Sequence, residues 1–90
     1  MNLQQNVEEQ LPPDTTLQVF HRQLKIPIPI YLEAVSEYTD PWEERAYQFF
    51  VQKYLEELND SGIVGMVRQE RNESHVLLDA AVRYTRKNTQ

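Results

Sequence analysis

Residues 40–58 read DPWEERAYQFFVQKYLEEL, and this stretch carries the clearest structural signal in the chain. Asp40 can accept a hydrogen bond from an unpaired amide of a first helical turn, and Pro41 loses no hydrogen bond at the first helical position. The sequence therefore predicts a long central helix over residues 41–58. The predicted stop is polar, with Gly62 taking the left-handed conformation that ends many helices.

The predicted central helix has two apolar faces. When successive residues are placed about 100° apart around the helix axis, one face is predicted to line the core: Tyr47, Phe50, Val51, Tyr54, Leu55 and Leu58. A second row, which we call the central-helix stripe, consists of Trp42, Ala46, Phe49 and Lys53. Aromatic side chains among charged ones are typical of protein interfaces. We therefore predict that the stripe binds a protein partner or forms a homodimer, unless the N-terminal arm or Ile26–Ile30 covers it.

Two shorter elements are predicted before the central helix. The spacing of Leu17, Phe20 and Leu24 predicts a helix over residues 15–25, and a strand is the alternative because threonine, valine and phenylalanine also favour strands. The sequence KIPIPI that follows predicts an extended connector, because each proline removes an amide donor and constrains the residue before it. The next stretch, IYLEAVSEY at residues 30–38, predicts a second short helix.

The C-terminal third of the chain allows two interpretations. Residues 63–67 are rich in β-branched side chains, and the alternating apolar residues of 76–84 predict a second strand, which would complete a β-hairpin. Leu77, Ala81 and Tyr84 also fit a helical spacing, so a strand followed by a helix is the alternative. The hairpin is favoured.

Together these elements predict an α+β domain dominated by helices. The order is a short helix, a proline-rich extended connector, a short helix, the long central helix, and a C-terminal β-hairpin or strand plus helix. A chain of this length is expected to form one hydrophobic core. We predict a mobile N-terminal arm at residues 1–13, one compact domain at 14–87 and a tail at 88–90.

Residues 54–78, YLEELNDSGIVGMVRQERNESHVLL, resemble the end of the third helix and the wing of winged-helix domains. In that fold a helix is followed by an apolar strand, a charged turn and a second strand. The resemblance implies a nucleic-acid-binding domain whose polyanion contacts would come from the basic C-terminal segment: Arg68, Arg71, Arg83, Arg86 and Lys87. The helix that would enter the DNA groove departs from the family pattern, because it carries four glutamates against Arg45 and Lys53.

The distribution of charge also disfavours general nucleic-acid binding. Residues 1–62 contain eleven Asp or Glu and four Lys or Arg, a balance of −7, whereas residues 63–90 contain three and five, a balance of +2. A mostly acidic surface repels phosphate backbones. The chain has no cysteine, no secretory-type beginning and no apolar run of membrane-spanning length, so we expect a cytoplasmic protein that does not insert into membranes.

No catalytic or metal-binding constellation is visible in the sequence. The only glycines are Gly62 and Gly65, so a glycine-rich phosphate loop cannot form. Ser74 and His75 are neighbours, but consecutive strand residues point to opposite faces, so no serine–histidine pair is expected. His75 and Asp79 would meet only on a helix. We expect no enzymatic activity, cofactor, metal or small-molecule ligand.

The expected function is that of a small non-enzymatic protein-interaction or regulatory domain, which binds a protein partner or itself through the central helix. The alternative is a degenerate winged-helix-like domain that binds nucleic acid through its basic C-terminal segment.

Overall fold

The computed structural model of the chain describes residues 3–10 and 19–84, without the side chain of Val19. In chain order these residues form a 3₁₀ turn Leu3–Gln5, β1 Glu8–Gln10, β2 Val19–Pro27, α1 Ile28–Ala34, α2 Glu44–Glu57, β3 Ile63–Arg71 and β4 His75–Arg83. The strands make one antiparallel sheet in the order β1-β2-β4-β3. The two α-helices contact each other and cover one face of the sheet, which closes a single core.

The predicted dominance of helices is wrong, because strands hold 40% of the structure and helices 33%. The difference arises mainly at β2, where the sequence predicts a helix. Phe20 and Leu24 are four residues apart, and this spacing fits one face of a helix as well as one face of a strand. Residues 19–27 pair along their whole length with β4, which places Leu24 opposite Leu78 in the core. The predicted helical residues 15–18 lie outside the described part.

The proline-rich segment is extended only over its first half, so the predicted connector is wrong for its second half. Pro27 ends β2, and α1 follows at once with Pro29 in its first turn. Amides of the first turn make no hydrogen bond within the helix, so the amide that proline lacks is not needed there. The helix predicted at residues 30–38 therefore starts earlier, and it ends at Ala34. The direct turn from strand to helix brings Tyr31 into the core, where it is fully buried.

The central helix is confirmed as α2, although it starts later than predicted. The Asp40 side chain accepts the Trp42 amide at 3.0 Å within a turn that precedes the helix. The predicted core face is buried, apart from Leu58, which is half-buried. The left-handed residue after the helix is Asn59, with φ of 59°, and Gly62 has no positive φ. Asparagine adopts this conformation more readily than most residues, so a glycine is not required there.

The C-terminal hairpin is confirmed, and the helical alternative for residues 75–85 is wrong in its described part. Every second side chain of β4 is buried: Val76, Leu78, Ala80 and Val82. This period of two follows from packing one face of the sheet against the helices. One extra residue between Val64 and Val67 makes a β-bulge in β3.

The resemblance to winged-helix domains does not extend to the fold. Residues 54–78 do form a helix end, a strand, a turn and a strand, which accounts for the similarity. However, the sheet has a fourth strand, because β1 pairs with the outer side of β2, and β2 pairs with β4 over nine residues. The described chain is therefore an antiparallel sheet covered by two helices.

Residues 3–10, which the sequence assigns to an arm outside the compact domain, pack on the sheet and on α2. Leu3 is fully buried, and its amide donates a hydrogen bond to Oε1 of Glu57 at 2.7 Å. β1 pairs with β2 and places Glu9 opposite Leu24. These residues add a short edge strand to the sheet and two apolar side chains, Leu3 and Val7, to the core.

The two glycines have different surroundings. A β-carbon at Gly62 would lie 2.4 Å from Cγ1 of Val82 and 2.9 Å from the ring of Tyr84. At Gly65, within β3, the nearest atom would be the carbonyl oxygen of Ala81 at 3.5 Å, an ordinary contact distance. Gly62 therefore allows the chain after α2 to approach the end of β4 closely.

We expect Gly62→Ala to lower the free energy of unfolding by about 1–3 kcal/mol, because the added methyl group must displace packed side chains. Gly65→Ala is the matched control and should change stability by less than about 0.5 kcal/mol. Urea denaturation followed by circular dichroism measures both effects. Equal stability of the two variants would show that the close approach at Gly62 does not restrict the side chain there.

Candidate functional site

The N-terminal part of the central-helix stripe lies against the rest of the chain. Ala46 is fully buried. The Trp42 ring stacks on Tyr31 of α1, with centroids 5.2 Å apart and planes inclined by 17°. The guanidinium carbon of Arg71 lies 4.0 Å from the centroid of the same tryptophan ring, within cation–π distance. Trp42 therefore joins α1 to the end of β3.

The C-terminal part of the stripe is more accessible. Phe49 is half-buried and contacts Tyr38, in the turn after α1, with ring centroids 5.3 Å apart. The Lys53 ammonium group lies 5.5 Å from the centroid of Phe49. The contacts that cover the stripe thus come from α1, from the turn after it and from the end of β3. The exposed parts of Phe49 and Lys53 are what a partner could reach.

The predicted polyanion contacts do not converge in the described residues. Arg71 lies over the tryptophan ring. Arg68 and Arg83 are exposed on different strands, and Arg68 stands opposite Asp79, so negative charge lies beside it. The remaining two residues, Arg86 and Lys87, lie outside the described part of the chain.

Each histidine has a partner that the sequence did not predict. Nδ1 of His21 lies 3.1 Å from Oδ1 of Asp79, between β2 and β4. His75 has no contact with that carboxylate, and its Nδ1 lies 2.7 Å from the Ser74 hydroxyl. The prediction that Ser74 and His75 do not pair is wrong, because Ser74 belongs to the hairpin turn. There Oδ1 of Asn72 accepts the amides of both residues at 2.8 Å.

These histidine contacts do not make a catalytic arrangement. The Ser74–His75 pair is exposed, and within the described residues no third side chain orients the imidazole ring, as nucleophilic catalysis by serine requires. Among the same residues, no three His, Asp or Glu side chains come together in a way that could hold a metal ion.

Arg22 is the centre of a polar network that the sequence did not reveal. It lies on the core-facing side of β2, in the same row as Leu24. Its guanidinium donates to both carboxylate oxygens of Glu9, to Oδ2 of Asp60 at 3.0 Å and to the Tyr84 hydroxyl at 2.6 Å. No buried side-chain polar atom of the described residues lacks a partner, so the partial burial of this network leaves no hydrogen-bonding group unsatisfied.

The network shifts pKa values in both directions. The hydrogen bond to Glu9 outweighs the effect of burial and raises the pKa of Arg22. Burial raises the pKa of Asp60, but hydrogen bonds from a loop amide, Arg22 and Tyr84 outweigh it, so the pKa of Asp60 lies below its usual range. Burial and the nearby Glu9 carboxylate raise the pKa of Tyr54 to about 12.

The sheet face opposite the helices is polar. A shallow depression of about 310 Å³ lies on it, and its polar side chains come from all four strands: Gln10, Gln23, Arg68, Glu70 and Asp79. Both signs of charge are present. The described part of this face has no phenylalanine, tyrosine or tryptophan ring, so it lacks the large aromatic platform on which sheets stack the bases of single-stranded nucleic acid.

β3 is the long free edge of the sheet. It has nine residues, whereas β1 at the opposite edge has three. Of the described large apolar side chains, the two most exposed, Ile63 at 52% and Met66 at 64%, both lie on β3. An edge strand presents unpaired amide and carbonyl groups to which a further strand can bind.

Side chains of α2 cover the first half of this edge. Gln52 accepts the Val64 amide and donates to the Gly62 carbonyl, each at 3.2 Å. Gln48 donates to the Gly65 carbonyl at 2.8 Å. Two glutamines therefore occupy three of the backbone groups that a partner strand would need before Val67.

The second half of the edge is uncovered. The Asn72 amide donates to the His75 carbonyl at 3.0 Å and closes the hairpin, so Glu70 and Arg68 also direct their backbone groups towards β4. The alternate residues of β3 direct their backbone groups away from the sheet: Val67, Gln69 and Arg71. Among the described residues, none bonds to these outward groups.

Comparison with protein-family models, with curated proteins and with solved structures gives no significant match to this chain. Among the described helices, none combines the length and the apolar content needed to cross a membrane. Function must therefore be inferred from the geometry of the chain itself.

We expect Trp42→Ala to lower the free energy of unfolding by about 2–4 kcal/mol, because it removes a ring packed against Tyr31 and Arg71. Leu32→Ala, at an exposed position of α1, is the control and should cost less than about 1 kcal/mol. Urea denaturation measures both. If Trp42→Ala is as stable as the wild type, the ring is free to bind a partner.

We expect stability to fall on acidification, in part because of Asp60. Because its pKa is lower in the folded state, the ionised Asp60 carboxylate stabilises the fold at pH values above the pKa of an unfolded aspartate, about 3.9. This contribution is lost as the pH falls through the pKa that Asp60 has in the folded state. Asp60→Asn should be roughly 1–2 kcal/mol less stable at neutral pH and should respond less to acid. Urea denaturation across a pH series tests this, with Glu37→Gln as an exposed control. An unchanged acid response in Asp60→Asn would contradict the assignment.

Proposed function

We propose that this chain is a small non-enzymatic protein-interaction domain that binds an extended polypeptide segment along the second half of β3. One observation carries the proposal: the outward backbone groups of Val67, Gln69 and Arg71, to which no described residue bonds. Segments that add a strand to an exposed sheet edge gain affinity from main-chain hydrogen bonds and specificity from alternate side chains.

The side chains along this edge restrict the segment that fits. Arg68 and Glu70 are exposed, lie on the sheet face opposite the helices and carry opposite charges. Met66 adds an exposed apolar side chain beside the β-bulge. A segment with both signs of charge on one face is therefore complementary to the edge, since opposite charges directly across two strands stabilise their pairing.

The hypothesis that a partner binds the central-helix stripe stays a prediction. Phe49 and Lys53 are its accessible members, whereas Ala46 is fully buried. The nucleic-acid alternative has no supporting observation among the described residues, because Arg71 is engaged by Trp42 and the other described arginines do not converge.

A library of random peptides displayed on phage and selected on the immobilised protein tests the proposal. We expect the selected peptides to slow amide hydrogen exchange at Val67, Gln69 and Arg71 in NMR spectra of the complex. Gln69→Pro should abolish binding, because it removes an outward amide while leaving the ladder with β4 intact. Gln69→Ala is the matched control: it removes the same side chain, keeps the amide and should still bind.

Circular dichroism confirms that the proline variant is folded, and the exchange data on the wild type do not depend on any variant. Peptides that bind Gln69→Pro as well as wild type, or that protect amides of α2 around Phe49, would contradict binding at the β3 edge. The second result would instead support the central-helix stripe.

A further inference from the structure

We infer that the polypeptide bound at the β3 edge is a second copy of this chain, paired antiparallel about a two-fold axis at Gln69. In this arrangement Arg68 of each copy stands opposite Glu70 of the other. The inference rests on the proposed function, and it adds the identity of the partner and the register of pairing.

The backbone of β3 suits a two-fold axis at Gln69. The outward residues Val67 and Arg71 lie at equal distances from it along the strand. When two copies run antiparallel, Gln69 pairs with its own equivalent and Val67 pairs with Arg71 on both sides of the axis. In each of these pairs the two residues exchange amide–carbonyl hydrogen bonds, so the outward groups of Val67, Gln69 and Arg71 all gain partners.

Among two-fold axes at residues 68–71, the charges select the same register. Between the hydrogen-bonded pairs, Arg68 of one copy faces Glu70 of the other, and the symmetry makes this ion pair twice. A two-fold axis at Arg68 or at Arg71 would place two arginines directly opposite each other. An axis at Glu70 would place two glutamates directly opposite each other. Like charges directly across two strands destabilise their pairing.

The two charged side chains are available for such contacts. Arg68 and Glu70 are exposed, and neither forms an ion pair with another described residue. The glutamines of α2 and the β-bulge limit pairing to the C-terminal half of β3. Because the shared strand is short and the ion pairs are exposed, we expect a weak dimer that weakens further as salt is added.

Analytical ultracentrifugation of the full chain over a concentration series at low salt tests the inference. We expect a reversible monomer–dimer equilibrium in the wild type. Arg68→Glu and Glu70→Arg should each raise the dissociation constant by at least about tenfold, because both ion pairs become repulsive.

Mixing the two single variants supplies the decisive comparison. One variant carries glutamate at both positions and the other arginine at both, so an equimolar mixture should form a heterodimer although each variant alone is monomeric. The double variant Arg68→Glu plus Glu70→Arg should dimerise like the wild type. Arg83→Glu and Glu37→Arg make the same changes of net charge away from β3, and they should leave association unchanged.

The outcomes separate this inference from the proposed function. A wild type that stays monomeric, or a mixture that fails to associate, overturns the second copy as the partner, even if selected peptides still bind the edge. A dimer that persists in Gln69→Pro overturns the β3 edge as the surface through which the copies meet.

Discussion

The fold depends on the pairing of β2 with β4. Nine residues of each strand stand in register, from Val19 opposite Arg83 to Pro27 opposite His75. This pairing brings residues 19–27 beside residues 75–83, and both helices and β3 lie in the segment between them. β3 attaches to it through the hairpin and β1 through its bonds to β2. A hairpin alone is marginally stable in water, so the helices and both outer strands need this central pair.

Arg22 shows how a charge on the core-facing side of that pair is accommodated. Removing a guanidinium from water is costly unless acceptors replace the solvent. Glu9 and Asp60 provide these acceptors, and they belong to β1 and to the loop after α2. The ion pairs therefore hold two peripheral segments against the sheet. A charge that would be unfavourable alone thus helps to position the N-terminal strand.

Most aromatic side chains already have partners within the chain. Tyr31 contacts Trp42, Tyr47 and Phe50, so the aromatic residues link α1 to α2. The surface that we propose for association is mainly backbone, at the free edge of β3. Natural sheets protect such edges with bulges and charged residues. Here a bulge and two glutamines protect the first half, whereas the charged second half remains open to a partner with complementary charges.

The sequence by itself determined the elements whose stabilising contacts are local. The core face of α2 follows from a period of about 3.6 residues, and the hairpin follows from alternation and from a turn that Asn72 closes. Of the residues at the proposed edge, the sequence singled out Arg68 and Arg71, but as contacts for a polyanion. It gave no signal for Gln69 or Glu70, because the direction of their backbone groups depends on which strand lies beside them.

Only the tertiary structure decided whether Phe20 and Leu24 belong to a helix or a strand, which side chains cover Trp42, and which edge of the sheet stays open. The physical reason is the same in each case. A periodic pattern shows that a segment has an apolar face, but the element that covers this face comes from a distant part of the chain.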